Sequence, residues 1–181
     1  TGVGKTSAAR KFSQIKPNNV NSKGFQMYSF HSGTKPKDFY GTITIKDEKV
    51  YFINGTLTTS MSEGQVFIAD EMNLSSLSTM KALAPALEPI NGKFIYISGV
   101  DEPILVNPGF FFIACQNDIG TKGRNAIPLS IESRFRYFYY PEQSLKDIKS
   151  ICFDIGHSFY QDEFPSFTKK DSEQTGEFMI E

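Results

Sequence analysis

The chain has 181 residues, enough for one domain with a sizeable core. Its 19 Lys and Arg balance 20 Asp and Glu, so no basic surface of the kind that holds nucleic acid is expected. Cys115 and Cys152 stand in apolar surroundings without metal-ligand spacing and are expected to be reduced; no signal peptide is recognisable, and no apolar run approaches the ~18 residues of a membrane span.

The opening reads Thr1-Gly2-Val3-Gly4-Lys5-Thr6, then Ser7 and a helical run to Gln14. This is the second half of the phosphate-loop pattern G-x-x-x-x-G-K-[ST]. The pattern sets its first glycine just upstream of Thr1, so the motif reads as cut and its leading strand as lost. Glycines at 2 and 4 let successive N–H groups turn inward onto phosphate oxygens. Lys5 offers a point charge to the β- and γ-phosphates, and the Thr6 hydroxyl is a hard ligand for Mg2+. A helix starting at Lys5 directs its positive end at the same anion. The plain alternative is a glycine turn before an amphipathic helix with a solvated lysine.

That helix is expected to stop before Lys16-Pro17-Asn18-Asn19. Residues 24–30 read as a short buried strand, 31–41 as a polar loop, and 42–53 as a hairpin turning at Asp47-Glu48. A short helix over 56–63 follows. Residues 65–70, QVFIAD, form a continuous apolar strand ending on a carboxylate. Leucines at 74, 77, 83 and 87 predict a helix over 74–89, kinked late by Pro85. A second hairpin is expected over 92–106 and another apolar strand over 109–118. Beyond a Gly/Lys/Arg/Asn loop come a short helix near 128–133, a strand at 136–140 and a helix over 143–159. The polar tail from Phe164 is expected to be disordered.

Apolar strands interleaved with helices imply an α/β fold: a parallel sheet covered on both faces, with ligands at the carboxyl ends of its strands. Asp70-Glu71 and Gln116-Asn117 finish two such strands, which sets them beside the phosphate loop. A carboxylate ending a buried strand calls for a cation. Asp70 is expected to hold Mg2+ with Thr6, and Glu71 to orient and deprotonate an attacking water. The alternative has Asp70 capping the next helix and Glu71 solvated.

The order VFIADEMN, a helix running to ALEP, a hairpin, PGFFFIACQND, a glycine and basic loop, then SRF extends over residues 1–140. In that order the chain resembles AAA+ ATPase modules of the midasin/dynein-related, MoxR-like group. The resemblance implies a P-loop NTPase core over 1–142, truncated at its start and carrying two β-hairpin insertions. The helix over 143–163 is read as the start of a lid domain, itself cut short, with the tail at 164–181. The resemblance assigns Thr1, Gly2, Val3, Gly4, Lys5, Thr6 and Ser7 to ATP, and Thr6 and Asp70 to Mg2+. Catalysis falls to Glu71, to Asn117 as sensor 1, and to Arg134 as arginine finger.

An asparagine at the γ-phosphate positions water without adding charge. In the family the finger acts on the neighbouring module's nucleotide, so an isolated module is expected to be a weak ATPase. Arg124 and Arg136 are rival fingers, and the plain alternatives are Arg134 in a surface ion pair and Asn117 as a turn residue. The implied function is ATP-driven remodelling of protein or ribonucleoprotein complexes by a ring. Its partners are neighbouring AAA+ modules and that substrate, with no membrane and no direct nucleic-acid contact. The expected location is intracellular, nuclear or cytoplasmic. Two other functions use the same residues: a module whose ATP is structural or regulatory, and a GTP-dependent motor of the McrB kind. An intact Glu71 favours hydrolysis over mere binding.

Overall fold

The computed structural model describes residues 4–14, 24–88, 92–97, 103–117, 123–139, 144 and 146–151. The expectations for Thr1 to Val3, for residues 16–19, for Cys152, for most of the helix over 143–159 and for the tail from 164 lie outside them. The chain divides into two compact units, Thr1–Phe138 and Tyr139–Glu181. In the second, residues 146–151 are helical. Ser144 and Asp147 cap that helix reciprocally: Ser144 N–H donates to Asp147 Oδ2 at 3.1 Å, and Asp147 N–H to Ser144 Oγ at 3.2 Å.

The first unit begins with α1 (Lys5–Gln14), β1 (Phe25–Ser29) and α2 (Pro36–Tyr40). A hairpin of β2 (Gly41–Lys46) and β3 (Lys49–Asn54) leads to α3 (Thr56–Glu63) and β4 (Val66–Asp70). Then come α4 (Leu77–Lys81), the short strands β5 (Phe94–Ile95) and β6 (Ile104–Leu105), β7 (Phe111–Cys115) and α5 (Leu129–Glu132). Strands β1, β4 and β7 form a parallel sheet in the order β1-β4-β7. Its register aligns Ser29, Asp70 and Cys115, so the carboxyl ends of all three strands finish level.

The central strand shows why its sequence is apolar throughout. Successive side chains of a strand point to opposite faces. Val66 and Ile68 pack with Ala9 of α1 and Cys115, while Phe67 and Ala69 join a larger cluster with Phe39, Leu57, Met61, Met72 and Leu83. With both faces covered, no position between Val66 and Ala69 tolerates a polar residue. Among the described residues β1 is an edge strand, and its residues are partly exposed rather than buried as expected.

The 42–53 hairpin turns where expected. Asp47 (φ 51°) and Glu48 (φ 61°) both adopt the left-handed region of the tight two-residue turn. α3 ends on Gly64, at φ 69°, where any Cβ would run into the carbonyl oxygen of Pro108. α5 falls inside the expected 128–133, and β5 pairs antiparallel with β6 in the 92–106 hairpin, whose tip lies outside the described residues.

Three further expectations are corrected. Residues 31–41 are not all loop, because Pro36–Tyr40 is helical and buries Phe39 and Tyr40. Pro36 is pre-set for a first helical turn, and the Lys35 N–H donates to Asp38 Oδ2 at 2.8 Å. Residues 74–89 are not one helix. A 3-10 turn over Met72–Leu74, α4, and a second 3-10 turn over Ala84–Leu87 replace it. Ser75 and Ser76 are extended, Ser76 Oγ caps α4 by accepting from Thr79 N–H at 3.2 Å, and Pro85 lacks the N–H a longer helix needs. Residues 136–139 form no strand; Tyr137, Phe138 and Tyr139 stand exposed, and none pairs with a described strand. Among the described residues no helix is long and apolar enough to cross a membrane.

Candidate functional site

At the carboxyl ends of β4 and β7 lies an open cavity of about 240 Å³. Gly4, Lys5, Thr6 and Ser7 line it from the start of α1, Asp70 and Glu71 from the end of β4, and Cys115, Gln116 and Asn117 from the end of β7. Gly4 has φ 87°, a turn that glycine makes without strain, and its carbonyl accepts the Ala8 N–H at 2.9 Å to begin α1. Ala9 then joins the cluster of Val66, Ile68 and Cys115, which packs α1 against β4 and β7.

Side chains distant in sequence meet here through an ordered set of donors and acceptors. Thr6 Oγ1 donates to Asp70 Oδ1 at 2.9 Å. Lys5 Nζ donates to Asn117 Oδ1 at 2.5 Å, and Asn117 Nδ2 donates in turn to Glu71 Oε1 at 2.5 Å. The other oxygen of Glu71 accepts from Arg124 Nη2 at 2.9 Å. Glu71 occupies the left-handed region (φ 53°, ψ 37°), a conformation that costs a non-glycine residue energy. Asn73 Nδ2 bonds the Asn117 carbonyl at 2.9 Å, which ties the turn after β4 to the end of β7.

A divalent cation fits the Thr6–Asp70 pair. Both are hard oxygen donors already converging on one point, and among the described residues no cluster of three His, Cys, Asp or Glu competes for a metal. Mg2+ favours this arrangement, since it takes few protein ligands and fills its shell with phosphate oxygens and water. Burial first, then the nearby Asp70 and Glu71 carboxylates, push the Cys115 thiol up to about 11 against the opposing charge of Lys5.

Of the residues expected at the site, Gly4, Lys5, Thr6, Ser7, Asp70, Glu71 and Asn117 come together; Thr1, Gly2 and Val3 lie outside the described residues. Arg134 lies elsewhere. Its Nη1 pairs with Glu88 Oε1 at 2.8 Å and its Nε donates to the Ser130 carbonyl at 3.0 Å, with the side chain 32% exposed. Arg136 is exposed as well. Arg124, considered only as a rival finger, is 8% exposed and contacts Glu71 from outside the cavity lining. The bracing role of Asn73 was missed, although its place two residues after Glu71 was on view.

Residues 1–135 match the AAA domain (dynein-related subfamily). A midasin of Giardia intestinalis is 26% identical over 156 residues, which is 83% of this chain and 3% of that protein. A midasin of Dictyostelium discoideum is 30% identical over 90 residues, 49% of this chain and 2% of that protein. The chain thus spans only a few hundredths of these relatives. The crystal structure of a Cytophaga hutchinsonii protein assigned as an ATPase superposes with a TM-score of 0.54 at 18% identity, covering 98% of this chain and 50% of that one. That likeness is one of fold.

Proposed function

The chain belongs to the dynein-related subfamily of AAA domains, and we propose on that premise that its cavity binds Mg·ATP and hydrolyses it to drive remodelling within a ring of such modules. The observation that carries this reading is the convergence of Lys5, Thr6, Asp70, Glu71 and Asn117, from three separate segments, on one polar cavity. At about 240 Å³ it is smaller than the ~300–1,000 Å³ of sites that enclose a whole ligand. It suits the phosphate end of a nucleotide.

Bound Mg2+ would supply positive charge to the β- and γ-phosphate oxygens, with Thr6 and Asp70 as its protein ligands. Lys5 exchanges its bond with Asn117 for the phosphates. Asn117 then orients the attacking water, and Glu71 accepts its proton. Arg134 is proposed to serve the nucleotide of an adjoining module, breaking its exposed pair with Glu88 to do so. The remodelled substrate is proposed to be a protein or ribonucleoprotein assembly inside the cell, in nucleus or cytoplasm. ATP rather than GTP follows from the family resemblance.

The test is a pair of substitutions in the intact protein, read with a fluorescent ATP analogue and by phosphate release, with GTP as competitor. Lys5→Ala should weaken binding. Glu71→Gln should retain binding while hydrolysis falls by about 10²–10⁴, the usual share of a general base. Hydrolysis by Glu71→Gln at the wild-type rate would remove Glu71 from that role.

A further inference from the structure

Arg124 lies outside the cavity lining yet reaches the residue on which hydrolysis is proposed to depend. Its Nη2 donates to Glu71 Oε2 at 2.9 Å while Oε1 accepts from Asn117. The Arg124 side chain is 8% exposed and that of Glu71 30%, and of the two Glu71 lines the cavity. A guanidinium buried this far is costly without a counter-charge. Among the described residues its Nε finds no acceptor, so the pair with Glu71 carries the compensation.

The frame around this pair is braced from three sides. Asn125, next in the chain, donates its N–H to the Asn73 carbonyl at 2.8 Å and its Nδ2 to the Ser75 carbonyl at 2.9 Å. Asn73 in turn bonds the Asn117 carbonyl. The loop that carries Arg124, the turn that carries Glu71 and the end of β7 that carries Asn117 are thus fastened to one another by bonds onto backbone carbonyls. A residue meant to reach a neighbouring module needs exposure, which Arg124 lacks.

The geometry points to Arg124 as a positioning residue for hydrolysis: seated behind Glu71, it fixes the carboxylate that Asn117 holds from the other side. This rests on the reading of Glu71 as general base. A carboxylate gripped through both oxygens cannot rotate away without losing one of these bonds. Misplacing a catalytic group by about 1 Å costs on the order of 10² in rate, and that is the scale expected here.

The test uses the intact protein, counting as this site's hydrolysis the part abolished by Lys5→Ala. Arg124→Ala should lower kcat by on the order of 10²-fold, with KM and affinity for a non-hydrolysable analogue changed by no more than about threefold. Arg124→Lys keeps the charge with a single donor point and should recover part of the loss. Combined with Glu71→Gln, Arg124→Ala should add nothing, because both act through one carboxylate. Should Arg124→Ala fold poorly, Arg124→Lys still gives a kcat loss without a KM change. An unchanged or raised kcat in Arg124→Ala, or losses that multiply with Glu71→Gln, would overturn the inference. If Glu71→Gln itself stays active, the general-base reading falls first; if it is dead while Arg124→Ala is fully active, only the role of Arg124 falls.

Discussion

Replacing Glu71 by glutamine is expected to destabilise the nucleotide-free protein as well as silence it, and the polarity of the site says why. Lys5 Nζ has only protons to give, so Asn117 turns its Oδ1 toward it, at 2.5 Å. That leaves Asn117 Nδ2 facing Glu71 Oε1, at 2.5 Å. Arg124, also donor-only, faces Oε2 at 2.9 Å. Glu71 is therefore flanked by two donors, and only a carboxylate accepts on both oxygens. A glutamine satisfies one neighbour and turns an NH2 against the other.

Breaking a fully buried pair costs about 3–5 kcal/mol, and a hydrogen bond to a charged group contributes about 1.5–3. The Glu71 side chain is 30% exposed, so water takes up part of the freed donor, and about 1–2 kcal/mol remains. In a protein of this size each kcal/mol moves Tm by about 2–4 °C, which gives a fall of about 2–8 °C. Calorimetry without nucleotide measures it. The double variant Glu71→Gln/Arg124→Met should melt above Glu71→Gln alone, because no buried charge is left unpaired. A nucleotide analogue should stabilise Glu71→Gln more than wild type, since Lys5 then leaves Asn117 free to turn its amide. An unchanged Tm in Glu71→Gln, with the double variant no different, would refute this chain of donors and acceptors.

Two further outcomes follow from the same region. In a Cys152→Ser background, alkylation of Cys115 should still climb about tenfold per pH unit at about pH 10, because ionisation lies near 11; a plateau above about pH 9 would show an unshifted thiol. Arg134→Ala removes an exposed pair worth at most ~1 kcal/mol, so Tm should fall by less than about 4 °C. Hydrolysis in the assembled protein should nevertheless fall by on the order of 10³–10⁵ with nucleotide affinity unchanged, and full activity with assembly intact would exclude Arg134 as a finger.

The fold was legible where burial constrains every residue of a segment. β4 could be read from VFIA because both of its faces are covered, and the first hairpin from its alternation and polar turn. It was illegible where a few residues decide. In α2 only Phe39 and Tyr40 are buried, too few to show a helical period among polar neighbours. Over 74–89 the leucine spacing suggested one helix, yet Leu77 is 51% exposed and the serines before it favour a cap over continuation. At 136–139 the aromatic residues have high strand propensity but no described strand to pair with, and propensity alone forms no ladder.

The site divides along a similar line. Lys5, Thr6, Asp70, Glu71 and Asn117 could be picked out because phosphate and metal chemistry asks for those residue types at a glycine turn and at strand ends, positions that a sequence displays. Arg124 could not be placed in this way. Its partner lies 53 positions away and is selected by bonds from Asn73 and Asn125 onto backbone carbonyls that no spacing encodes. The sequence therefore offers three arginines beyond the sensor strand with nothing to rank them. Burial ranks them. A guanidinium 8% exposed and paired with its own module's Glu71 cannot also extend to a neighbour, whereas Arg134, 32% exposed and paired with a surface carboxylate, gives up little by doing so. On that ranking Arg124 is proposed to bear on the carboxylate inside the module, and the exposed Arg134 to make the reach between modules.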